Sequence, residues 1–369
     1  LLERIITEWR ILIHYLKDFF WPAATSVGVF TDGFPVSSSL ISPFTTVVSM
    51  VLIISLLIAS YRLRDKQPLF SFSVFFFFCA HLMESTVYPL ELYYEHRNYI
   101  AMVFLPIGII SLFFNRLNNR LLSVIVAAII LTNISIKTYQ RSELWGNEEQ
   151  LYLWSLKNNQ HSERVFILAA DYYYYNLNNN AALSILTEGY GLHNSIALKA
   201  SIVSQKCVMK SEVMSDFNQL LVLLKNEKIR KNDIQPLKFL IEMMFQKQCG
   251  NRLVYSDINK LKNIISQSMK ENDFKLPFLL SINARLLLSN GQFKKAKDDY
   301  VDKLTIDKDF RAYINILAYY LQIGEVELAS DLFNYGNQLF EDYYRYRVDW
   351  TNLGMEFDRY RLIIHEELN

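Results

Sequence analysis

The chain has 369 residues, 51% of them hydrophobic and 14% aromatic, with a net charge of +1, a mean hydropathy of +0.09, 11 Gly and 8 Pro. Collagen-like and linker material would need more Gly and Pro, and a disordered chain fewer apolar residues. A nucleic-acid partner would be met by a basic face, which a near-neutral chain does not offer, and none is expected.

The average conceals an asymmetry. Of the 38 Lys/Arg and 37 Asp/Glu, residues 1–136 carry nine and eight, which leaves 29 of each for the remainder. The first third has the composition of a lipid-embedded segment and the rest that of an ordinary water-exposed protein.

The chain opens on Leu1 with an amphipathic pattern. Ile5, Ile6, Trp9, Leu12, Ile13, Leu16, Phe19 and Phe20 oppose Glu3, Arg10, Lys17 and Asp18. Charges that recur every turn or two suit a helix lying along the outer membrane interface. The opening is neither a basic leader nor a cleavage site, and we expect the chain to be the C-terminal part of a longer one. Residues 1–44 are thus read as an outer amphipathic helix and loop.

Four uncharged apolar stretches follow within 45–136: Thr45 to Tyr61, Pro68 to Met83, Tyr99 to Phe114 and Leu121 to Ile136. About 17 to 25 residues span a bilayer core, and aromatic ends extend the fit. Four transmembrane helices are predicted. Arg62, Arg64 and Lys66 lie in the first tight connection and Arg116 and Arg120 in the third. Positive charge near membrane ends stays cytoplasmic, so the Trp21–Phe44 segment, the acidic Glu84–Arg97 connection and everything after Ile136 face outward.

From Lys137 the pattern is helical throughout. Gly291-Gln-Phe293-Lys-Lys-Ala296-Lys-Asp-Asp-Tyr300 and Gly324-Glu-Val326-Glu-Leu-Ala329-Ser-Asp-Leu-Phe333 place Gly, apolar, Ala and aromatic residues at equal offsets, 33 residues apart. That is close to the roughly 34 of tetratricopeptide (TPR) repeats. Gly makes the interhelix turn, Ala lets two helices close, and the aromatic fills the seam between neighbours. The small residue expected seven positions before the turn is Ala284 in one copy and Leu317 in the other. A weaker copy runs from Ser162 to Tyr190, with Ala182 in the Ala position. The predicted fold class is all-α: polytopic transmembrane helices followed, over 137–369, by a TPR-like α-solenoid.

Chemistry concentrates in the stretch from His81 to Tyr99, at the outer end of a hairpin. It holds two His, three Glu and one Arg, where retained charge tends to be functional. Arg97 offers a planar, permanently charged fork suited to a phosphate. A lipid-linked phosphate is the natural ligand at that depth. Glu84, Glu91 and Arg97 read equally well as an interfacial ion-pair set that anchors the hairpin. His81, Glu84 and His96 lack a third ligand of diagnostic spacing, and no metal is expected. Cys79 falls in a predicted membrane helix. Cys207 and Cys249 fall in the outward part, where a disulfide is permitted, and sequence leaves their pairing open.

The run Glu95-His96-Arg97-Asn98-Tyr99 between two membrane helices resembles the Glu-x-Arg-x-x-Tyr region of the transmembrane, TPR-bearing O-mannosyltransferases of the GT-C superfamily and their bacterial relatives. Tyr99 falls one position early, and the Pro that usually follows is displaced to Pro106. Trp9-Arg-Ile-Leu-Ile-His14-Tyr-Leu-Lys-Asp-Phe-Phe-Trp-Pro22 resembles that family's outer horizontal helix. Thr138-Tyr-Gln-Arg141-Ser-Glu-Leu-Trp145 resembles its passage from the last membrane helix into the repeats.

The resemblance implies the C-terminal portion of a bacterial inner-membrane glycosyltransferase, multi-pass, with a periplasmic C-terminal domain. It would move a sugar from a polyprenyl-phosphate carrier to an acceptor on the periplasmic face, with the repeats presenting a protein or glycan acceptor. The lipid-linked sugar is a substrate, and no cofactor is expected. Arg97 would clamp the lipid phosphate, with Glu95, His96 and Tyr99 beside it and His81, Glu84 and Glu91 in support. The family carries its catalytic acidic residue, which deprotonates the acceptor hydroxyl, in the first outer loop, which has no counterpart here, and Asp32 belongs to a later loop. No catalytic base is assigned, and the chain by itself is expected to be inactive. Two alternatives stand beside this: an O-antigen ligase or protein oligosaccharyltransferase of the Wzy type, and a non-enzymatic membrane-anchored TPR scaffold.

Overall fold

The computed structural model describes residues 2–20, 34–82, 93, 98–114, 120–250, 252–268, 273–344 and 351–368. Every regular element among them is an α-helix. The chain divides into two compact units, Leu1–Leu177 and Asn178–Asn369, so the division falls inside the segment read as one repeat domain, between the two helices of its weakest copy.

The first unit contains α1 (Leu2–Phe20), α2 (Thr45–Leu63), α3 (Pro68–His81), α4 (Asn98–Met102), α5 (Leu105–Phe114), α6 (Arg120–Gly146), α7 (Glu148–Asn158) and α8 (Glu163–Tyr175). Among the described residues one helix, α2, is long and apolar enough to cross a membrane. The second stretch forms the 14-residue α3, opened by Pro68 at its first position, where a missing N–H costs nothing. The third is split. Pro106 has no N–H to give the carbonyl of Met102, so α4 stops there and α5 begins after a turn. The fourth lies inside α6, which runs 27 residues and takes in Thr138–Trp145 as well.

Small polar residues set the close approaches in this unit. Ser71 Oγ donates to the carbonyl of Ser60 at 2.6 Å, and Ser73 Oγ to that of Phe104 at 2.7 Å. A Cβ on Gly108 would lie 2.6 Å from Ser73 Oγ, so only Gly lets α5 meet α3 this closely. On α6 the side chains of Val124, Ile125, Val126, Ile129, Ile130 and Leu131 are all exposed. Three successive residues at about 100° each sample the whole circumference, so this helix presents apolar groups on every side.

Arg10, which the amphipathic pattern places opposite the apolar face of α1, is instead buried, together with Thr7 and Glu8. Its Nη1 donates to the carbonyl of Pro35 at 2.7 Å and to Ser37 Oγ at 3.3 Å, and its guanidinium lies 5.0 Å from the Phe34 ring centroid. Thr7 Oγ1 accepts from the Ser37 amide, and Ser37 Oγ bonds Thr46 Oγ1. A polar seam therefore joins α1, the 34–44 segment and α2.

The second unit contains α9 (Asn179–His193), α10 (Ile196–Val208), α11 (Met214–Asn226), α12 (Lys231–Phe245), α13 (Tyr255–Gln267), α14 (Leu276–Ser289), α15 (Phe293–Asp307), α16 (Phe310–Gln322), α17 (Val326–Tyr344) and α18 (Thr351–Leu368). Helices α10, α12, α14 and α16 all end on one backbone device. The residue after Lys210, Lys247, Gly291 or Gly324 donates its amide to the carbonyl five positions back, and those four residues have φ of 53°, 56°, 70° and 80°. This is the Schellman turn with a left-handed C′ residue. Each turn leads into the next helix.

The Ala and aromatic residues of the two similar stretches lie in the helix interfaces. Ala296 and Ala329 are fully buried, and Tyr300 and Phe333 nearly so; α14 packs on α15, α16 on α17, and α15 on α17. Tyr313 Oη donates to the Leu332 carbonyl and Tyr320 Oη to that of Phe293, so α16 is fastened to both flanking helices. Further back, the buried carboxylate of Asp233 accepts from the amides of Ala197 and Arg230, which ties the start of α12 to that of α10. Cys207 on α10 and Cys249 after α12 form a disulfide, their Cα atoms 4.3 Å apart.

Candidate functional site

The C-terminal end of α3 is covered by the C-terminal half of α1. Tyr15 stacks on His81 with centroids 5.3 Å apart and on Tyr93 at 5.0 Å; Phe34 also stacks on Tyr93 at 5.9 Å. Phe77 meets the His81 ring edge-on at 4.8 Å, and His14 meets Phe34 at 5.2 Å. The register of α1 explains this: Ile11 and Tyr15 are i, i+4 on the buried face, and Asp18 follows one turn on. Tyr93 Oη donates to Asp18 Oδ2 at 2.5 Å.

Electrostatics follow from that packing. Burial raises the Tyr93 phenol well above its ordinary pKa, and the hydrogen bond to Asp18 adds to the rise, so Tyr93 stays a neutral donor. Burial lowers His14, and the positive charge of Lys17 lowers it further. The neutral form of this imidazole is thereby favoured.

The candidate residues divide into two groups. Arg97, Glu95, His96, Glu84 and Glu91 lie outside the described residues. His81 is 2% exposed inside the aromatic stack, a ring packed into the core between Tyr15 and Phe77. Tyr99 is 82% exposed on α4. Tyr93 and Asn98, which bracket Glu95–Arg97 in sequence, are both buried, at 7% and 8%. The Oδ1 of Asn98 is buried and has no hydrogen-bond partner among the described residues.

No family model, curated protein or solved structure matches the chain. The site therefore rests on its own geometry. Among the described residues no three His, Cys, Asp or Glu side chains converge as a metal-holding group.

The sequence pattern does not reveal Tyr15 against His81, nor the contacts of Tyr93 with Tyr15, Phe34 and Asp18. Asp18 was counted only among the charges of an amphipathic helix, and its partner is 75 positions away. The periodicity that buries Tyr15 was present, at four residues from Ile11.

Proposed function

We propose that the chain is the C-terminal portion of a membrane glycosyltransferase that takes a sugar from a polyprenyl-phosphate carrier and passes it to an acceptor on the outer, periplasmic face. The four apolar stretches, carried by α2, α3, α4 with α5, and α6, span the inner membrane, and the helix pairs of the second unit form a TPR-like array that presents the acceptor. Arg97 clamps the lipid phosphate. Its electrostatic role is to neutralise the charge that builds on the departing phosphate.

The observation that carries this reading is the roof of α1 over α3. Tyr93 and Asn98, which flank the Glu95–Arg97 run in sequence, are both buried, and Tyr93 is held by Asp18. A polar aromatic site is thus set beside apolar helices. The all-round apolar surface of α6 and the serine-mediated contacts of α3 are what a bilayer favours, because small residues and interhelical hydrogen bonds join helices where the hydrophobic effect does not.

The test is binding of a short-chain prenyl phosphate to the full chain in detergent micelles. Wild type is expected to bind, Arg97→Ala to bind at least tenfold more weakly, and Arg97→Lys to recover part, since an ammonium keeps the charge and loses the fork. Absence of binding by wild type, or equal binding by Arg97→Ala, would move the reading to a membrane-anchored scaffold.

A further inference from the structure

Cys207 and Cys249 are each 2% exposed and belong to one hydrophobic cluster that runs from α10 to α14. They sit beside the two Schellman turns that close α10 and α12, at Lys210 and Lys247. The third cysteine, Cys79, is free and exposed on α3. The pairing is thus selective: the two thiols brought together are those buried in the second unit, and the one left over is in the apolar part of the first.

Two buried thiols in contact are stable as thiols in a reducing cytosol and are converted to a disulfide outside it. The flanking packing decides what the bond does. Helices α10 and α12 are already joined by Asp233 at their N-terminal ends. The disulfide joins the same two helices at their C-terminal ends, so the pair is fixed at both.

We propose that the second unit is completed by oxidation after export, and that the Cys207–Cys249 bond is a maturation site made by an extracytoplasmic dithiol oxidant. The thiolate of one cysteine attacks a disulfide of the oxidant and forms a mixed disulfide. The second thiolate then displaces the oxidant's sulfur. Cys207 and Cys249 together lose two electrons and two protons, and the oxidant is reduced to a dithiol. This inference shares with the proposed function only the placement of the second unit outside the cytosol; it does not depend on sugar transfer or on Arg97.

The experiment counts thiols on the full chain. Bacterial cells with and without their extracytoplasmic dithiol oxidase are quenched in acid, and the chain is denatured and treated with a maleimide-linked polyethylene glycol, before and after reduction. The chain has three cysteines. With the oxidase, one adduct is expected before reduction, on Cys79, and three after; Cys207→Ser should give two in both conditions. Without the oxidase, three are expected before reduction. Three adducts before reduction in oxidase-bearing cells would overturn the bond. One adduct in both strains would overturn the export-side oxidant. Either result leaves prenyl-phosphate binding to be judged by its own assay.

Discussion

Tyr93 and Asp18 meet through a single hydrogen bond of 2.5 Å across 75 positions of sequence, and that bond closes α1 over the end of α3. The phenol ring stacks with both Tyr15 and Phe34.

Tyr93→Phe keeps the stack and removes the donor. It is expected to cost about 2 kcal/mol, the range for a hydrogen bond to a charged group, read as a lower melting temperature of the detergent-solubilised chain. Asp18→Asn retains an acceptor and should cost less. The double variant should lose little more than Tyr93→Phe alone, and full additivity would show that the two do not interact.

The left-handed turn residues give predictions of opposite sign. Gly324→Ala places a Cβ at φ 80° and should destabilise the second unit by about 1 kcal/mol or more. Lys210→Gly relieves the same strain at φ 53° and should stabilise it by roughly 0.5 kcal/mol. Chemical denaturation of the two variants checks both.

Gly336 on α17 faces the Tyr313 ring. A Cβ there would fall on Cε1 and lie 3.0 Å from Cδ1 of a side chain that is itself 2% exposed. Because Tyr313 is also held through its hydroxyl, it has little room to retreat. Gly336→Ala is expected to cost about 1 to 3 kcal/mol through overpacking, and Gly336→Ala with Tyr313→Leu should recover part of that by thermal melting.

Asp216 bonds both Lys199, whose side chain is 4% exposed, and Lys206. Burial alone would raise its pKa, but the two lysine contacts outweigh this and hold the carboxyl below the ordinary carboxylate range. A depressed folded-state pKa contributes stability that is present above the unfolded value and lost as pH falls through the folded one. Unfolding midpoints should therefore decline below about pH 5, and Asp216→Asn should flatten that decline while lowering stability at neutral pH by about 1 kcal/mol, since the partly exposed pair is screened by solvent.

The two C-terminal helix pairs were legible because Gly291 and Gly324 mark their turns. The α10 and α12 turns were not, since Lys210 and Lys247 occupy the same backbone state and a lysine carries no turn signal. Only the positive φ reveals the kinship. The break between α4 and α5 had a visible cause in Pro106, and an apolar run hid it. In the candidate site His81 was selected by its chemistry, yet what surrounds it comes from α1, and no local pattern links Tyr15 or Asp18 to it.

The seam at Arg10 has a lopsided genetics. Its guanidinium grips the carbonyl of Pro35, an oxygen that all twenty residue types possess in the same place. Position 35 is therefore free of any chemical obligation to its partner, while position 10 requires a long side chain with a fixed donor. A saturation scan would find one intolerant position facing a permissive one. No correlated pair of substitutions would betray that they touch.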